Sequence, residues 1–140
     1  MKKVTHSKMK KSIKNKWVKA LRSGDYIQGD AQLCNPPEDE ETDDYTFCCL
    51  GVLENLYCLA NNESFTQWGD AVHSERCADW SGLPITIDST GDPYKDEENP
   101  TIEKLTTMND GTSLSMFSTD VLPVKPKSFK QIANWIEKNL

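Results

Sequence analysis

The chain has 140 residues, and its 16 Lys and Arg side chains against 22 Asp and Glu give a formal net charge of −6. This length suits one domain with a buried core. A hydrophobic content of 36% and a charged content of 27% argue against pervasive disorder. The longest apolar run, residues 47–53, is far shorter than the roughly 20 residues of a membrane-spanning helix, so we expect no membrane partner.

The charge is divided unevenly along the chain. The first 23 residues carry nine basic side chains and no acidic one, so residues 24–140 hold seven basic and all 22 acidic side chains. We predict a basic N-terminal arm over residues 1–8, whose order the sequence leaves open, and a single domain over residues 9–140. No apolar stretch follows the basic N-terminus, so we expect no secretory signal and a cytoplasmic location.

Apolar side chains at helical spacing predict most of the helices. We expect the first helix to be capped by Ser7 or Ser12 and to end at Gly24, and the closing helix to begin with a capping box of Ser128 and Gln131. The triplet from Asn109 to Gly111 is interpreted as a helix stop. The predicted helices cover residues 9–22, 49–60, 74–80, 100–109 and 129–140.

Alternating or short apolar segments predict the strands. Tyr26 to Cys34 is predicted to be one strand, residues 45–48 a strand returning from a hairpin, and residues 83–88 a further strand. Residues 35–44 and 89–99 are acidic and contain proline, so we predict solvated loops there. The expected fold is a single compact α+β domain with four or five helices packed on a small, mainly antiparallel sheet.

A compact polar run follows the first helix and contains Arg22, Ser23, Tyr26 and Gln28 around two glycines. An arginine binds phosphate through two hydrogen bonds, a tyrosine stacks on a base, and a glutamine can hydrogen-bond a base edge. The alternative is structural, with Arg22 on the last helix carbonyls, Tyr26 in the core and Gln28 satisfying a bulge.

The helix that starts at Cys48 and Cys49 adds candidate residues to the ligand-binding interpretation and to the structural one. A helix N-terminus attracts anions, which favours these two residues as part of a site for a phosphorylated ligand. The same dipole lowers a thiol pKa, so a Cys-dependent enzyme would use Cys48 or Cys49 with His73 as the base. The alternative is that both thiols pack as small hydrophobic groups at a tight junction, where Gly51 allows close helix packing.

Five sequence blocks occur in a characteristic order. They are WVKALRSGDYIQGDAQL (17–33), YTFCCLGVLENLYCLA (45–60), WSGLP (80–84), LTTMND (105–110) and SFKQIANWIEKNL (128–140). This order resembles a family of small proteins encoded by bacteriophages and prophages, with the pattern W-x-x-A-L-R-S-G-x-Y-x-Q-G, C-C-L-G-V-L, W-x-G-L, L-N-D-x-G and S-F-x-x-I-A-x-x-I-E. This chain departs from the pattern at residues 112–127, which separate the last two blocks. The resemblance implies a phage origin and no established activity.

Metals, disulfides and nucleic acids are less favoured by the sequence. Five cysteines form an odd set without zinc-ligand spacing, so we expect free thiols and neither a metal nor a cofactor. The basic first helix suggests nucleic-acid binding, but the acidic remainder of the chain argues against it. The acidic loops suggest instead a protein that imitates a phosphate backbone and blocks a nuclease.

The favoured hypothesis is a non-catalytic phage protein that counters host antiviral defence in the host cytoplasm by binding a small phosphorylated ligand. Its expected ligand-binding residues are Arg22, Ser23, Tyr26, Gln28, Cys48 and Cys49. The alternative is a protein–protein inhibitor, such as an anti-CRISPR or anti-nuclease protein, that uses its acidic surface. A Cys-dependent hydrolase is a third hypothesis, and the sequence leaves a homodimer open.

Overall fold

The structure is a computed structural model. For residues 2–4, 85–87, 93–94 and 100 it describes the backbone alone. The residues that it describes are 2–4, 9–39, 41–42, 44–66, 69–70, 72–83, 85–87, 93–94, 100–111 and 125–140.

The described residues form five helices and six short strands. The helices are α1 (Lys11–Ser23), α2 (Cys49–Ala60), α3 (Glu75–Ser81), α4 (Pro100–Asp110) and α5 (Phe129–Asn139). The strands are β1 (Lys2–Val4), β2 (Ile27–Gln28), β3 (Cys34–Asn35), β4 (Thr46–Phe47), β5 (Ile85–Ile87) and β6 (Pro93–Tyr94). The prediction of a single compact α+β domain is confirmed.

The helix ends follow their local signals. Gly24 and Gly82 adopt left-handed conformations, with φ of 82° and 83°, directly after α1 and α3. The Ser128 hydroxyl accepts from the Gln131 amide while the Gln131 side chain accepts from the Ser128 amide, which completes the predicted capping box. The predicted end of α1 at Gly24 and the predicted capping box are confirmed, because each depends on residues within one turn.

The predicted start of α1 is wrong. Lys10 occupies the N-cap position and provides no side-chain hydrogen bond. Ser12 lies inside the helix, where its position cannot cap the first turn, and Ser7 lies outside the described residues. The Lys10 amide instead donates to the Ser81 carbonyl at 2.9 Å, so a contact with α3 fixes the start of α1.

Helix α2 lies at the centre of the core. It packs against α1, α3 and α4, while α1 also packs against α5. Trp17 of α1 is fully buried, and its indole Nε1 donates to the Cys49 carbonyl at 2.8 Å. This buried hydrogen bond joins α1 to the first turn of α2 and satisfies the only polar atom of the indole.

The strands form two three-stranded sheets, with orders β1-β5-β6 and β2-β4-β3. Three of the four pairings are antiparallel, and β2 pairs with β4 in parallel. Strands β3 and β4 form the predicted hairpin around the acidic loop. Strand β1 lies within the segment expected to be a basic arm, and β6 lies within the predicted loop over residues 89–99.

The prediction of one strand from Tyr26 to Cys34 is wrong. The segment contains two strands, β2 and β3, which flank β4 on opposite sides. Ala31 has a positive φ of 68° between them and reverses the chain direction. None of the helices that the structure describes is long and apolar enough to cross a membrane.

Candidate functional site

Arg22 and Ser23 lie at the end of α1, and both side chains form hydrogen bonds there. The Arg22 guanidinium pairs with Glu137 Oε2 at 2.5 Å and donates to Asn134 Oδ1 at 2.7 Å, which ties α1 to α5. The Ser23 hydroxyl donates to the Ala20 carbonyl at 2.7 Å. Arg22 therefore contacts side chains of α5 rather than the last carbonyls of its own helix.

Tyr26 is half-buried and has contacts at both ends. Its hydroxyl accepts from Asn55 Nδ2 at 2.7 Å, and its ring meets the Phe47 ring edge-to-face with 5.2 Å between centroids. These contacts join the start of β2 to α2 and β4. They correspond to the structural alternative, in which Tyr26 belongs to the core.

Gln28 connects three distant segments. Its Nε2 donates to the Lys127 carbonyl at 2.7 Å and to Asn109 Oδ1 at 3.2 Å, while its Oε1 accepts from the Phe129 amide at 3.0 Å. One side chain of β2 thereby holds the end of α4 and the first turn of α5 together.

Asn109, which is only 2% exposed, completes this connection. Its Oδ1 also accepts from the Cys49 amide at 3.1 Å, and its Nδ2 donates to the Gly29 carbonyl at 2.8 Å and to Asp110 Oδ1 at 2.9 Å. We call Gln28 and Asn109 with these bonds the Gln28–Asn109 junction. The interpretation of Asn109 as part of a helix stop missed this role, and the signal available in the sequence was the LTTMND block at residues 105–110.

The N-terminus of α2 is satisfied by groups of the protein itself. Asn109 holds the Cys49 amide, and the Cys48 sulfur accepts from the Gly51 amide at 3.3 Å. These are the donors that an anion would use at the start of a helix. Cys49 thus bonds to the junction and Cys48 to its own helix, whereas Arg22 contacts α5 elsewhere.

The expected lowering of the thiol pKa values is wrong. Burial raises the pKa of Cys48 to about 12 and raises the pKa of Cys49 well above its ordinary value. Desolvation of the thiolate outweighs the helix dipole at both positions. The Cys49 sulfur lies 3.7 Å from the Leu105 carbonyl oxygen, which is its hydrogen-bond partner.

His73 is fully buried and does not hydrogen-bond either thiol. Its Nε2 lies 2.8 Å from the Leu83 carbonyl oxygen. Among the described residues, its Nδ1 is the one buried side-chain nitrogen or oxygen without a hydrogen-bond partner. Burial lowers the pKa of His73 to about 4 from an ordinary value of 6.5.

The low pKa of His73 predicts acid sensitivity. Between about pH 6.5 and pH 4 the unfolded chain binds a proton at His73 that the folded protein does not, so the free energy of unfolding falls as the pH is lowered through this range. We expect His73→Gln to show a smaller loss between pH 7 and pH 5 in urea denaturation. Equal losses for the variant and the parent protein would contradict this assignment.

A cleft of about 440 Å³ opens beside the junction, and we call it the α5 cleft. The first turn of α5 contains no acidic residue, and the exposed Lys127 and Lys130 flank its start. Of the predicted ligand-binding residues, Gln28 is the one that lines the α5 cleft. The lining residues are Gln28, Gly29, Asp30, Asn109, Pro126, Lys127 and Ser128.

Comparison with known proteins identifies the family of the chain. Residues 9–140 match a family described as "Domain of unknown function (DUF8296)". The chain belongs to this family. No curated protein and no solved structure shows significant similarity to the chain. Among the residues of this chain that the structure describes, no group of three or more His, Cys, Asp and Glu side chains is arranged to hold a metal ion.

Proposed function

We propose that the protein is a phage-encoded, non-catalytic antagonist of host antiviral defence that binds a small phosphorylated, nucleotide-type ligand in the α5 cleft. The proposed place of action is the host cytoplasm. The observation that carries the ligand class is that Lys127 and the carboxylate of Asp30 line one cleft, with the exposed Lys130 on the adjoining first turn of α5. Its volume of about 440 Å³ lies within the range of small-molecule sites.

The charges of the cleft match the two ends of a nucleotide. The exposed Lys127 and Lys130 favour a phosphate group. Their side chains, rather than the helix amides, are its expected contacts, because the Phe129 and Gln131 amides already donate to Gln28 and Ser128. Asp30, in the same lining, suits the hydroxyl groups of a ribose, which acidic side chains bind in other nucleotide sites. A free phosphate ion would pair with the lysines but would make no use of Asp30.

The thiols and the imidazole support a binding role rather than catalysis. Both Cys48 and Cys49 are buried with raised pKa values, so they resist forming the nucleophilic thiolate. His73 hydrogen-bonds the Leu83 carbonyl rather than a thiol. The five sequence blocks that resemble phage-encoded proteins support the phage origin, and the anti-defence role is proposed by analogy with other small accessory phage proteins.

Ligand binding is tested by calorimetry and thermal shift with cyclic nucleotides, ADP-ribose and inorganic phosphate. We expect one of the nucleotides to raise the Tm, because a ligand at 100 times its Kd stabilises the folded state by about 2.7 kcal/mol. We expect replacement of both Lys127 and Lys130 by alanine to weaken binding about tenfold or more, through loss of charge-assisted bonds.

Lys138→Ala is the matched control, because Lys138 lies on the same helix in its last turn. It is expected to bind the nucleotide as the parent protein does. Failure of every phosphorylated compound to bind, or equal affinity of the lysine double variant, would contradict the proposal. Phage protection in a host with active defence then tests the anti-defence role. Protection by the parent protein and its loss in the lysine double variant would link ligand binding to that role.

The acidic hairpin loop favours a protein–protein inhibitor as the second candidate. Asp39 fixes a turn in this loop, since its carboxylate accepts from the Glu41 amide at 3.0 Å and its carbonyl from the Thr42 amide at 3.1 Å. Exposed carboxylates of Glu38 and Glu41 are thereby held on an ordered turn, as phosphate mimicry requires. A host protein bound in a strongly salt-dependent complex would favour this candidate.

A further inference from the structure

A second cavity, of about 460 Å³, lies between α2 and the beginning of α3. Helix α2 contributes three of its side chains at positions i, i+3 and i+4, which share one face of a helix. The segment after α2 and the first residues around α3 supply the rest. The residues that matter here are Glu54, Tyr57, Cys58, Glu63, Ser74 and Arg76, and we call this the Glu54 cavity.

Glu54 is the only charged residue of α2 and is only 2% exposed. Its Oε2 accepts from the Ser74 hydroxyl at 3.1 Å, and the Cys77 thiol is a further hydrogen-bond partner. Both partners are neutral, and burial raises the pKa of the carboxyl. A buried carboxylate that lacks a cationic partner is costly, so its presence in a cavity wall calls for a functional explanation.

The arginine of the cavity is committed to another carboxylate. Arg76 Nη1 contacts Glu63 Oε1 at 2.8 Å. The Tyr57 hydroxyl also hydrogen-bonds Glu63, which raises the pKa of Tyr57 to about 12. Arg76 neutralises Glu63. The Glu54 carboxylate therefore gives the described lining a net negative charge.

The Tyr57 side chain gives the cavity a fixed aromatic wall. Its ring meets the Trp80 ring edge-to-face with 5.7 Å between centroids, and its hydroxyl is held by Glu63. Sites for organic cations commonly combine a carboxylate with such an aromatic ring. The volume of about 460 Å³ accommodates a small organic molecule rather than a bare ion.

We propose that the Glu54 cavity binds a small organic cation with a primary amine or guanidinium group, which pairs with the Glu54 carboxylate. The cation supplies the positive charge that the described surroundings of Glu54 lack. The hydroxyl of Ser74 orients the carboxylate for this contact. This site is separate from the α5 cleft and takes a ligand of opposite charge.

Calorimetry on the full chain with agmatine and n-butylamine as probes tests this site, with 1-butanol as the uncharged comparison. We expect both cations to bind and to raise the Tm, and 1-butanol to do neither. Glu54→Gln keeps the size of the side chain and its bond to Ser74, and we expect it to weaken binding of both cations at least tenfold. The matched control is Glu103→Gln at an exposed position of α4, which is expected to bind as the parent protein does.

Arg76→Ala provides a second, independent variant at an exposed position. It leaves Glu63 without its cation, so we expect agmatine to bind several-fold tighter. Absence of binding to the parent protein, equal affinity of Glu54→Gln, or unchanged affinity of Arg76→Ala would each overturn the proposal. Nucleotide binding in the α5 cleft is expected to be unchanged by Glu54→Gln, which separates a failure of this site from a failure of the proposed function.

Discussion

Gly51→Ala is expected to lower the free energy of unfolding by about 3 kcal/mol or more, because the added methyl group has no room. A Cβ at Gly51 would overlap the carbonyl oxygen of Leu33 and lie 2.7 Å from its carbonyl carbon. These are backbone atoms, which cannot rotate away as a side chain does. The first turn of α2 and the chain before β3 approach this closely only because residue 51 has no side chain.

The Leu33 backbone is itself held in place from two sides. Its carbonyl accepts from the Cys48 amide at 3.2 Å, and its amide donates to the Asp70 carbonyl at 2.8 Å. A shift that relieved the overlap would break these bonds as well. The approach at Gly51 is close, but the predicted helix packing is wrong, because the neighbour is the backbone of Leu33, which lies outside the helices.

Urea denaturation measures the effect, and Gly69→Ala is the matched control. A Cβ at Gly69 would meet no atom within 4 Å, so we expect a change below about 1 kcal/mol there. A Gly51→Ala protein as stable as the Gly69→Ala protein would show that α2 and the Leu33 segment are not packed as described.

Asn109→Asp is expected to cost about 3 kcal/mol at neutral pH, although the two side chains have nearly the same shape. The carboxylate still accepts from Gln28 and from the Cys49 amide. It provides no donor for the Gly29 carbonyl, and it places a second negative charge beside Asp110. The buried position magnifies both losses because little water replaces the missing bond.

Asn134→Asp is the matched control for this substitution. Asn134 is exposed and accepts a hydrogen bond from Arg22, so a carboxylate there keeps its partner. We expect its free energy of unfolding to stay within about 0.5 kcal/mol of the parent value. If Asn109→Asp were equally mild in urea denaturation, Asn109 would not hold the Gln28–Asn109 junction together.

The helices were predictable because their signals are local. Gly24, Gly82 and the capping box at Ser128 each act within one turn of a helix. The start of α1 was not predictable in this way, because the Lys10 amide bonds to the distant Ser81 carbonyl. Local patterns miss an end that a tertiary contact determines.

The strands were harder to predict, because strand pairing joins residues that are far apart in the chain and an alternating apolar pattern does not show it. The segment from Tyr26 to Cys34 reads as one alternating strand, yet β4 pairs with both of its ends. The reversal uses Ala31 at a positive φ, a conformation for which alanine gives no signal. A prediction from periodicity alone therefore joined two strands into one.

The candidate site residues divide in the same way, into those that a local pattern reveals and those that only distant contacts reveal. Gln28 was identified from its polar neighbourhood and lines the α5 cleft, while Arg22 and Tyr26 contact α5 and α2. Asn109 bonds residues 60 and 80 positions away, which no short motif reveals. Glu54 did have a sequence signal, since it is the lone charge in an otherwise apolar or neutral helix.

A titration followed by amide NMR chemical shifts tests the proposed ligand site most directly. With ADP-ribose and cyclic nucleotides, a binding compound is predicted to shift the amides of Lys127, Lys130 and Gly29 first. The amides of Cys49 and Gly51 are predicted to change little, because neither residue lines the α5 cleft. Shifts centred on α2, or no saturable shift with any phosphorylated compound, would contradict the account.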